Sequence, residues 1–242
     1  MQSRVLILIA LVGAVRSYAE DAPKPAEQPP APAVADAKTP EDVVRKRFVL
    51  AYQSAATTDA RVEVVKMLKG LTEKATRRLL AGMLADRDEA VRIAACKTMA
   101  STPDEDGYFV KPLMGALTDP SDFVRMAAAD ALGSARIRAD AVKALSIALM
   151  TVAGTISNLD EGKNKNTALV VQSYNGALER LTAQRCKEND ARSQSAFWTD
   201  YWKQREDDLR AKDLELRGGE PEPVRPDGLE PDSFDKKDKP TK

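Results

Sequence analysis

The chain has 242 residues with 37 basic and 37 acidic side chains, and it contains no histidine and two cysteines. The absence of histidine excludes histidine-based acid–base catalysis, Ser-His-Asp and Cys-His nucleophiles, and the usual zinc sites that contain histidine. The balanced charge differs from the strongly basic face of a nucleic-acid-binding domain, so we expect no nucleic-acid partner.

The first 19 residues have the pattern of a secretory signal. Arg4 places a positive charge before the apolar stretch 5–15, and Ser17 and Ala19 are the small residues that signal peptidase requires. An uncleaved membrane anchor is the alternative, but eleven helical residues span only about 16 Å, whereas the hydrocarbon core is about 30 Å thick. We therefore expect cleavage after Ala19, a periplasmic or secreted protein, and no membrane span in the mature chain.

Two segments lack the apolar periodicity of packed elements. Residues 20–38 are rich in proline, alanine and charge, which predicts an extended linker. Residues 218–242 have a similar composition and are predicted to form a disordered, charged tail. The folded part is expected between them, as a repeat domain over 39–191 and a C-terminal helix over 192–217.

Every strong signal inside the folded part is helical. Thr39 and Pro40 have the pattern of a helix start, and Thr102 and Pro103 repeat it with a glutamate at the position of a capping box. Between such starts, apolar residues recur every three or four positions, and alternating runs of β-branched residues are missing. The pattern predicts an all-α fold.

An internal repeat organises the middle of the chain. Residues 80–100 (LAGMLADRDEAVRIAACKTMA) align without a gap with residues 113–133 (LMGALTDPSDFVRMAAADALG), at an offset of 33. Each unit reads as a helix, a short turn that contains an aspartate, and a second helix with small side chains on one face. Since a helix pair cannot bury its apolar face alone, the units are expected to stack and to share a continuous core.

The Leu-Asp…Val-Arg-x-Ala-Ala pattern of these units resembles a HEAT repeat of the short, alanine-rich kind found in bacterial proteins. The resemblance implies a short α-solenoid, and a binding role is inferred from the missing catalytic and nucleotide-binding motifs. It also implies that the turn aspartates Asp86 and Asp119 and the arginines Arg92 and Arg125 are structural residues that bridge adjacent units.

Weaker copies of the unit flank the two clear ones. Residues 39–70 are predicted to form a first unit, because RVEVVKML at 61–68 resembles 92–99 at an offset of 31. Helices over 138–152 and 167–183 are predicted to form a fourth unit, with an insertion at 154–166. We therefore expect about four stacked helix pairs.

An aromatic group follows the last unit. Its members lie at helical spacing, so Trp198 and Trp202 share one helix face; they are Phe197, Trp198, Tyr201 and Trp202. The first interpretation is a capping helix, because an open solenoid end needs cover. The alternative is a hydrophobic docking face, since exposed Trp and Tyr are frequent binding anchors.

The sequence offers no set of catalytic or metal-binding residues. Nucleotide-binding glycine loops and the GxSxG motif are missing, and two cysteines are too few for a four-cysteine metal site. The acidic pairs Asp86 with Asp88 and Asp160 with Glu161 are interpreted as helix caps and loop charges. We expect no catalytic residue, no cofactor and no metal, and hence no enzyme.

The two cysteines are predicted not to form an intramolecular disulfide. Two stacked units place Cys96 and Cys186 about 16–20 Å apart, whereas a disulfide needs α-carbons within about 7 Å. Cys96 is expected to be a buried thiol, and Cys186 to be free or to pair between molecules.

These features predict a non-catalytic scaffold, exported from the cytoplasm, that binds a protein partner through the solenoid surface. Two alternatives stay open: a structural envelope component that self-associates through the Trp-bearing helix, and an accessory subunit of an envelope enzyme. The partner and the oligomeric state are left undetermined.

Overall fold

A computed structural model of the chain describes residues 40–156 and 165–219. The predicted signal, the whole linker, residues 157–164 of the insertion and the tail beyond 219 lie outside these residues. All described residues belong to the same unit of the chain, Lys38–Lys242.

Nine helices follow one another in the described residues, which contain no strand. The all-α prediction is therefore confirmed. The helices are α1 (Pro40–Ser54), α2 (Thr58–Met67), α3 (Lys74–Gly82, continued by a 3-10 turn Met83–Ala85), α4 (Glu89–Ala100), α5 (Val110–Ala116), α6 (Asp122–Leu132), α7 (Ala139–Ile156), α8 (Lys165–Thr182) and α9 (Ala191–Leu216).

The helices form two layers. In the second-helix layer, α2 packs on α4, α4 on α6, and α6 on α8. In the first-helix layer, α1 packs on α3 and α5 on α7, and α9 lies along α7. The architecture is therefore solenoid-like, with four helix pairs and a ninth helix that extends the first-helix layer.

Equivalent valines and alanines explain the close stacking of the second-helix layer. Val91, Val124 and Val170 occupy the same position in α4, α6 and α8, and each is completely buried. Burial of such a side chain contributes about 1.5–3 kcal/mol. Ala95 and Ala128, which stand one helical turn after Val91 and Val124, are also completely buried. Their small side chains let neighbouring helices approach one another closely.

Helix α7 is the one described helix that is long and apolar enough, by length and composition, to cross a membrane. Leu145 and Leu149 of α7 are completely buried, and the helix packs against α5, α8 and α9. These contacts are typical of a core helix, and we interpret α7 in that way.

The helix start predicted at Thr102 is wrong, because α5 begins only at Val110. The Thr102 hydroxyl donates a hydrogen bond to the carbonyl oxygen of Thr98 (2.8 Å) and accepts one from the N–H of Gly70 (3.1 Å). Thr102 therefore ties the end of α4 to the first unit, and the residues that follow form a connecting loop.

Candidate functional site

The junction between the second and third units is held by an arginine–aspartate bridge. Arg92 of α4 donates from Nε and Nη2 to the two carboxylate oxygens of Asp119, at 2.8 and 2.9 Å. Its Nη1 donates to the carbonyl oxygen of Asp86 at 2.9 Å. One guanidinium thus joins the turn of its own unit to the turn of the next unit, and the fork geometry makes it a strong, directional contact.

The electrostatics of this bridge follow from its partial burial, since the side chains of Arg92 and Asp119 are 12% and 10% exposed. Burial raises the pKa of Asp119, but hydrogen bonds from Arg92 and from the N–H of Ser121 outweigh it and hold the pKa below its usual range. The hydrogen bond with Asp119 raises the pKa of Arg92. Both groups are therefore charged at neutral pH.

The junction between the first and second units uses related contacts. Arg61 is the equivalent of Arg92, and it pairs with Asp88 and lies 3.9 Å from Asp86. Asp86 also accepts a hydrogen bond from the hydroxyl of Tyr52 in α1. The carboxylates of Asp86 and Asp88 are thus occupied by contacts between units. Asp88 precedes α4, but its side chain makes no capping hydrogen bond, because it accepts from Arg61 and Thr58 instead.

The third junction departs from the expected pattern. Arg125 donates to the carbonyl oxygen of Asp119 (2.9 Å), as Arg92 does to Asp86, but its carboxylate partner is Asp122 of the same helix. No aspartate stands in the fourth unit at the position that Asp119 takes in the third. Tyr174 of α8 is completely buried and donates to the carbonyl oxygen of Leu117 instead.

The aromatic group of α9 packs inside the molecule. Trp198 is completely buried, and its Nε1 donates to Oδ1 of Asn175 in α8 at 2.6 Å. Phe197 and Tyr201, which are half-buried, contact the Trp198 ring edge to face at centroid distances of 4.9 and 5.6 Å. Trp202 is 8% exposed. These positions match a capping helix and leave neither indole available as a docking anchor.

The far end of α9 is fixed by a buried carboxylate. Asp213 is 7% exposed and accepts hydrogen bonds from the N–H groups of Arg138 and Ala139, at 2.7 to 3.0 Å. It thereby caps the N-terminus of α7 from a position 74 residues away. The sequence analysis missed this residue, because nothing near Asp213 in the chain indicates a helix to be capped.

The side of α8 that follows the last repeat is polar where internal units are apolar. The position of Cys96 in α4 and Ala129 in α6, both completely buried, is taken in α8 by Asn175, which accepts from Trp198 of α9. One turn further, Glu179 accepts a hydrogen bond from the N–H of Cys186. This side of α8 therefore contacts α9 and the residues that lead to it, and no further repeat packs there.

A row of apolar side chains crosses the exposed side of the second-helix layer. Phe123 and Leu169 occupy equivalent positions in α6 and α8, and they are 50% and 47% exposed. A second row of half-exposed side chains lies one helical turn away and consists of Val62, Ile93 and Met126. We call the two rows together the apolar band; its members are Val62, Ile93, Phe123, Met126 and Leu169. The repeat alignment could have indicated the band, since it places Phe123 and Leu169 in register.

One acidic pair that the sequence analysis did not single out lies beside the loop after α4. Arg77 of α3 donates to Asp106 at 2.5 Å and lies 3.7 Å from Asp104. Burial and the neighbouring Asp106 raise the pKa of Asp104, although its hydrogen bond from the N–H of Phe109 opposes the shift. A cleft of about 380 Å³ opens next to Asp104, between this loop and residues 134–136.

No group of three acidic or cysteine side chains in the described part of the chain could hold a metal ion. The predicted pair Asp160 and Glu161 lies outside that part. Both cysteines are free: Cys96 is completely buried, and burial raises its pKa to about 12. Cys186 is half-buried, and burial raises its pKa as well. Neither thiol is activated as a nucleophile.

Comparison with known proteins supports the repeat architecture. Residues 46–133 and 76–151 match the family model of HEAT repeats. The two overlapping matches run from α1 into α7 and include the first and second of the junctions described above. A search of curated proteins returned no match to the chain.

Proposed function

We propose that this chain, a HEAT-like repeat protein, is a non-catalytic scaffold that binds a protein partner through the apolar band of its second-helix layer. HEAT repeats are commonly protein-interaction scaffolds, and stacked helix pairs present an extended surface suited to that task. The carrying observation is the exposure of Phe123 and Leu169 at equivalent positions of neighbouring helices. Contiguous exposed apolar side chains of this kind mark interaction sites.

The test compares two surfaces of equal exposure. Phe123→Ser with Leu169→Ser removes the centre of the apolar band. Ile147→Ser with Met150→Ser is the matched control, because these α7 residues are 50% and 52% exposed in the other layer. Each full-length variant is used to capture partners from an envelope extract.

We expect the band variant to lose at least 10-fold in partner recovery, since buried apolar anchors dominate interface energies, and the control to retain binding. Both variants should stay within about 0.5 kcal/mol of the parent in stability, because the altered side chains are exposed. If the band variant and the control variant recovered equal amounts of partner, the apolar band would not be the binding surface.

We further propose that the scaffold works outside the cytoplasm. The support is the signal pattern of the first 19 residues, with Ala19 at the cleavage position. Intact mass of the protein recovered from the periplasm or medium should correspond to a chain that begins at Glu20. A chain retained in the cytoplasm with its N-terminal segment intact would contradict export.

The two alternative functions differ in their support. Self-association through α9 has little structural support, because Trp198 and Trp202 are buried within the molecule. A role as accessory subunit of an envelope enzyme would use the same apolar band, and identification of the captured partner distinguishes it from a purely structural scaffold.

A further inference from the structure

One apolar face of α2 is open to solvent, although the equivalent faces of the later second helices are buried. Ala60 is exposed, Val64 is half-buried, and Met67 is 40% exposed. Their equivalents in α4 and α6 are at most 4% exposed; they are Val91, Ala95, Thr98, Val124, Ala128 and Ala131. We call Ala60, Val64 and Met67 the end face.

Burial supports the register that defines these equivalents. At the offset of 31, Val65 and Leu68 of α2 correspond to Cys96 and Met99 of α4. The first two are at most 1% exposed, and the second two are at most 2% exposed. The two helices therefore turn the same side toward the core, and the exposure of the end face is not a consequence of a rotated helix.

A missing neighbour explains why the end face is exposed. Helices α4, α6 and α8 each pack on the second helix of the preceding unit. In α8, Tyr174 is the equivalent of Val64, and its hydroxyl reaches the carbonyl oxygen of Leu117 in the preceding unit. Helix α2 packs on its own first helix and on α4, but no second helix precedes it within the residues that the structure describes. The end face is therefore the surface on which a preceding unit would pack.

The opposite end of the stack is closed. Helix α9 packs along α7, and its Trp198 donates to Asn175 on the side of α8 that follows the last repeat. Head-to-tail stacking of copies is therefore blocked by α9. A contact between two N-terminal ends uses the same surface of both copies, and it closes after two copies instead of growing into a filament.

We propose that the end face binds the end face of a second copy of this chain, with the two α2 helices antiparallel about Val64. A two-fold axis there brings Ala60 of one copy to within about 1.5 Å, along the helix axis, of the level of Met67 of the partner subunit. A small side chain thus lies opposite a large one. The pairing continues the packing of second helix on second helix that runs through the molecule.

The charges beside the end face are also self-complementary. Glu63 and Lys66 stand on one edge of it, and their side chains are 68% and 57% exposed. Because a two-fold axis keeps this edge on the same side of both copies, it brings Glu63 of each copy to nearly the level of Lys66 of the other. Opposite charges therefore face each other twice across the contact, which favours this orientation over others.

Two other features of the chain are compatible with this occupant. The linker predicted over 20–38 contains five prolines, which disfavour the helix that would be needed to continue the stack from within the same chain. Val62, the member of the apolar band in α2, lies about 200° around the helix from Ala60 and from Val64. A pair of copies joined at the end face therefore keeps both apolar bands free.

Sedimentation equilibrium of the full-length protein at several concentrations measures the association. The acidic variant is Ala60→Glu with Met67→Glu, and the basic variant is Ala60→Lys with Met67→Lys. Each places like charges opposite each other across the contact. The control is Met150→Glu with Ala211→Glu, because Met150 is 52% exposed in α7 and Ala211 is exposed in α9. Thermal melting within a few degrees of the parent shows that each variant is folded.

We expect the parent to form dimers that dissociate on dilution, because a contact one helix pair wide lies at the low end of interface sizes. The acidic and the basic variant should each dimerise at least about 100-fold more weakly, since opposed like charges cost several kcal/mol. A mixture of the two should dimerise again, because glutamate then faces lysine. The control should stay within about 2-fold of the parent, and so should Phe123→Ser with Leu169→Ser.

Three results would overturn the proposal. The first is a parent that stays monomeric up to its solubility limit, which would assign the end face to another segment or to another protein. The second is an equal loss of dimer in the acidic variant and in the control. The third is a mixture of the acidic and basic variants that stays monomeric although both are folded.

Discussion

The stack is held differently at an internal junction and at its C-terminal end. Between the second and third units, an ion pair between Arg92 and Asp119 joins the two turns. Between the fourth unit and α9, the contacts come from a buried indole, Trp198, and a buried carboxylate, Asp213. The internal junction therefore uses residues about 30 positions apart, and the C-terminal end uses residues as much as 75 apart.

This difference in contacts shows how α9 closes the C-terminal end of the repeat stack. An internal junction depends on an arginine of one unit and an aspartate of the next, whereas Lys165 stands in the fourth unit at the position that Asp119 takes in the third. Packing of α9 along α7 covers the apolar surface that a further unit would have buried. The C-terminal end should therefore tolerate substitution less well than the internal junction.

The largest effect is expected for Trp198→Ala. Removal of a completely buried indole that also donates to Asn175 should destabilise the protein by about 3–5 kcal/mol. Phe197→Ala is the control, because that ring is half-buried, and it should cost clearly less. Urea unfolding followed by circular dichroism measures both. A cost below 1 kcal/mol for Trp198→Ala would mean that α9 does not stabilise the repeats.

The next effect is expected for Asp213→Ala. The substitution leaves the N–H groups of Arg138 and Ala139 without their acceptor, and we expect a loss of about 2–3 kcal/mol. Asp213→Asn keeps one acceptor oxygen and should lose less. Hydrogen exchange should show faster exchange of the first amides of α7 in the alanine variant. Unchanged protection there would refute the capping role.

A smaller effect is expected for Arg92→Ala, at about 2 kcal/mol, because Asp119 would lose its partner while remaining mostly buried. Arg125→Ala is the matched control: its carboxylate partner lies on the same helix, so it should cost less. Chemical unfolding of both variants makes the comparison. If Arg125→Ala were the more costly change, the bridge between units would not be the stabilising contact.

The smallest effect is the pH dependence of the internal junction. The pKa of Asp119 is lowered in the folded protein, so its contribution to stability is complete above its unfolded pKa of about 3.9. That contribution is lost as the pH falls below the unfolded pKa and through the lower pKa that Asp119 has in the folded protein. The loss should be about 1 kcal/mol or less, because a neutral carboxyl group still accepts hydrogen bonds.

Asp119→Asn should remove this part of the acid sensitivity. Urea midpoints of the parent and the variant, measured from pH 6 down to pH 2, provide the test. Stability curves that fall in parallel over the whole range would exclude a role for Asp119 in the acid response.

Much of the fold could be predicted from the chain alone. The first helix of the fourth unit was expected over 138–152 and the second over 167–183, and the helices lie at Ala139–Ile156 and Lys165–Thr182. The C-terminal helix, expected over 192–217, lies at Ala191–Leu216. Helical periodicity and repetition can be recognised in a single sequence, because each is a pattern of residues along the chain. The prediction of a helix start at Thr102 was wrong because the Thr102 hydroxyl, which could cap a helix, donates to Thr98 and accepts from Gly70 instead.

The all-α class and the repeat could be derived from the amino-acid sequence, because each depends on spacings of a few residues or on a similarity between segments. The offset of 46 between the third and fourth units is sufficient to align Phe123 with Leu169. The folded structure was needed to show which aligned positions are exposed, that Arg125 pairs with Asp122 of its own helix, and that Asp213 caps α7. Burial and long-range partners depend on how helices far apart in the chain meet, and no local spacing encodes that meeting.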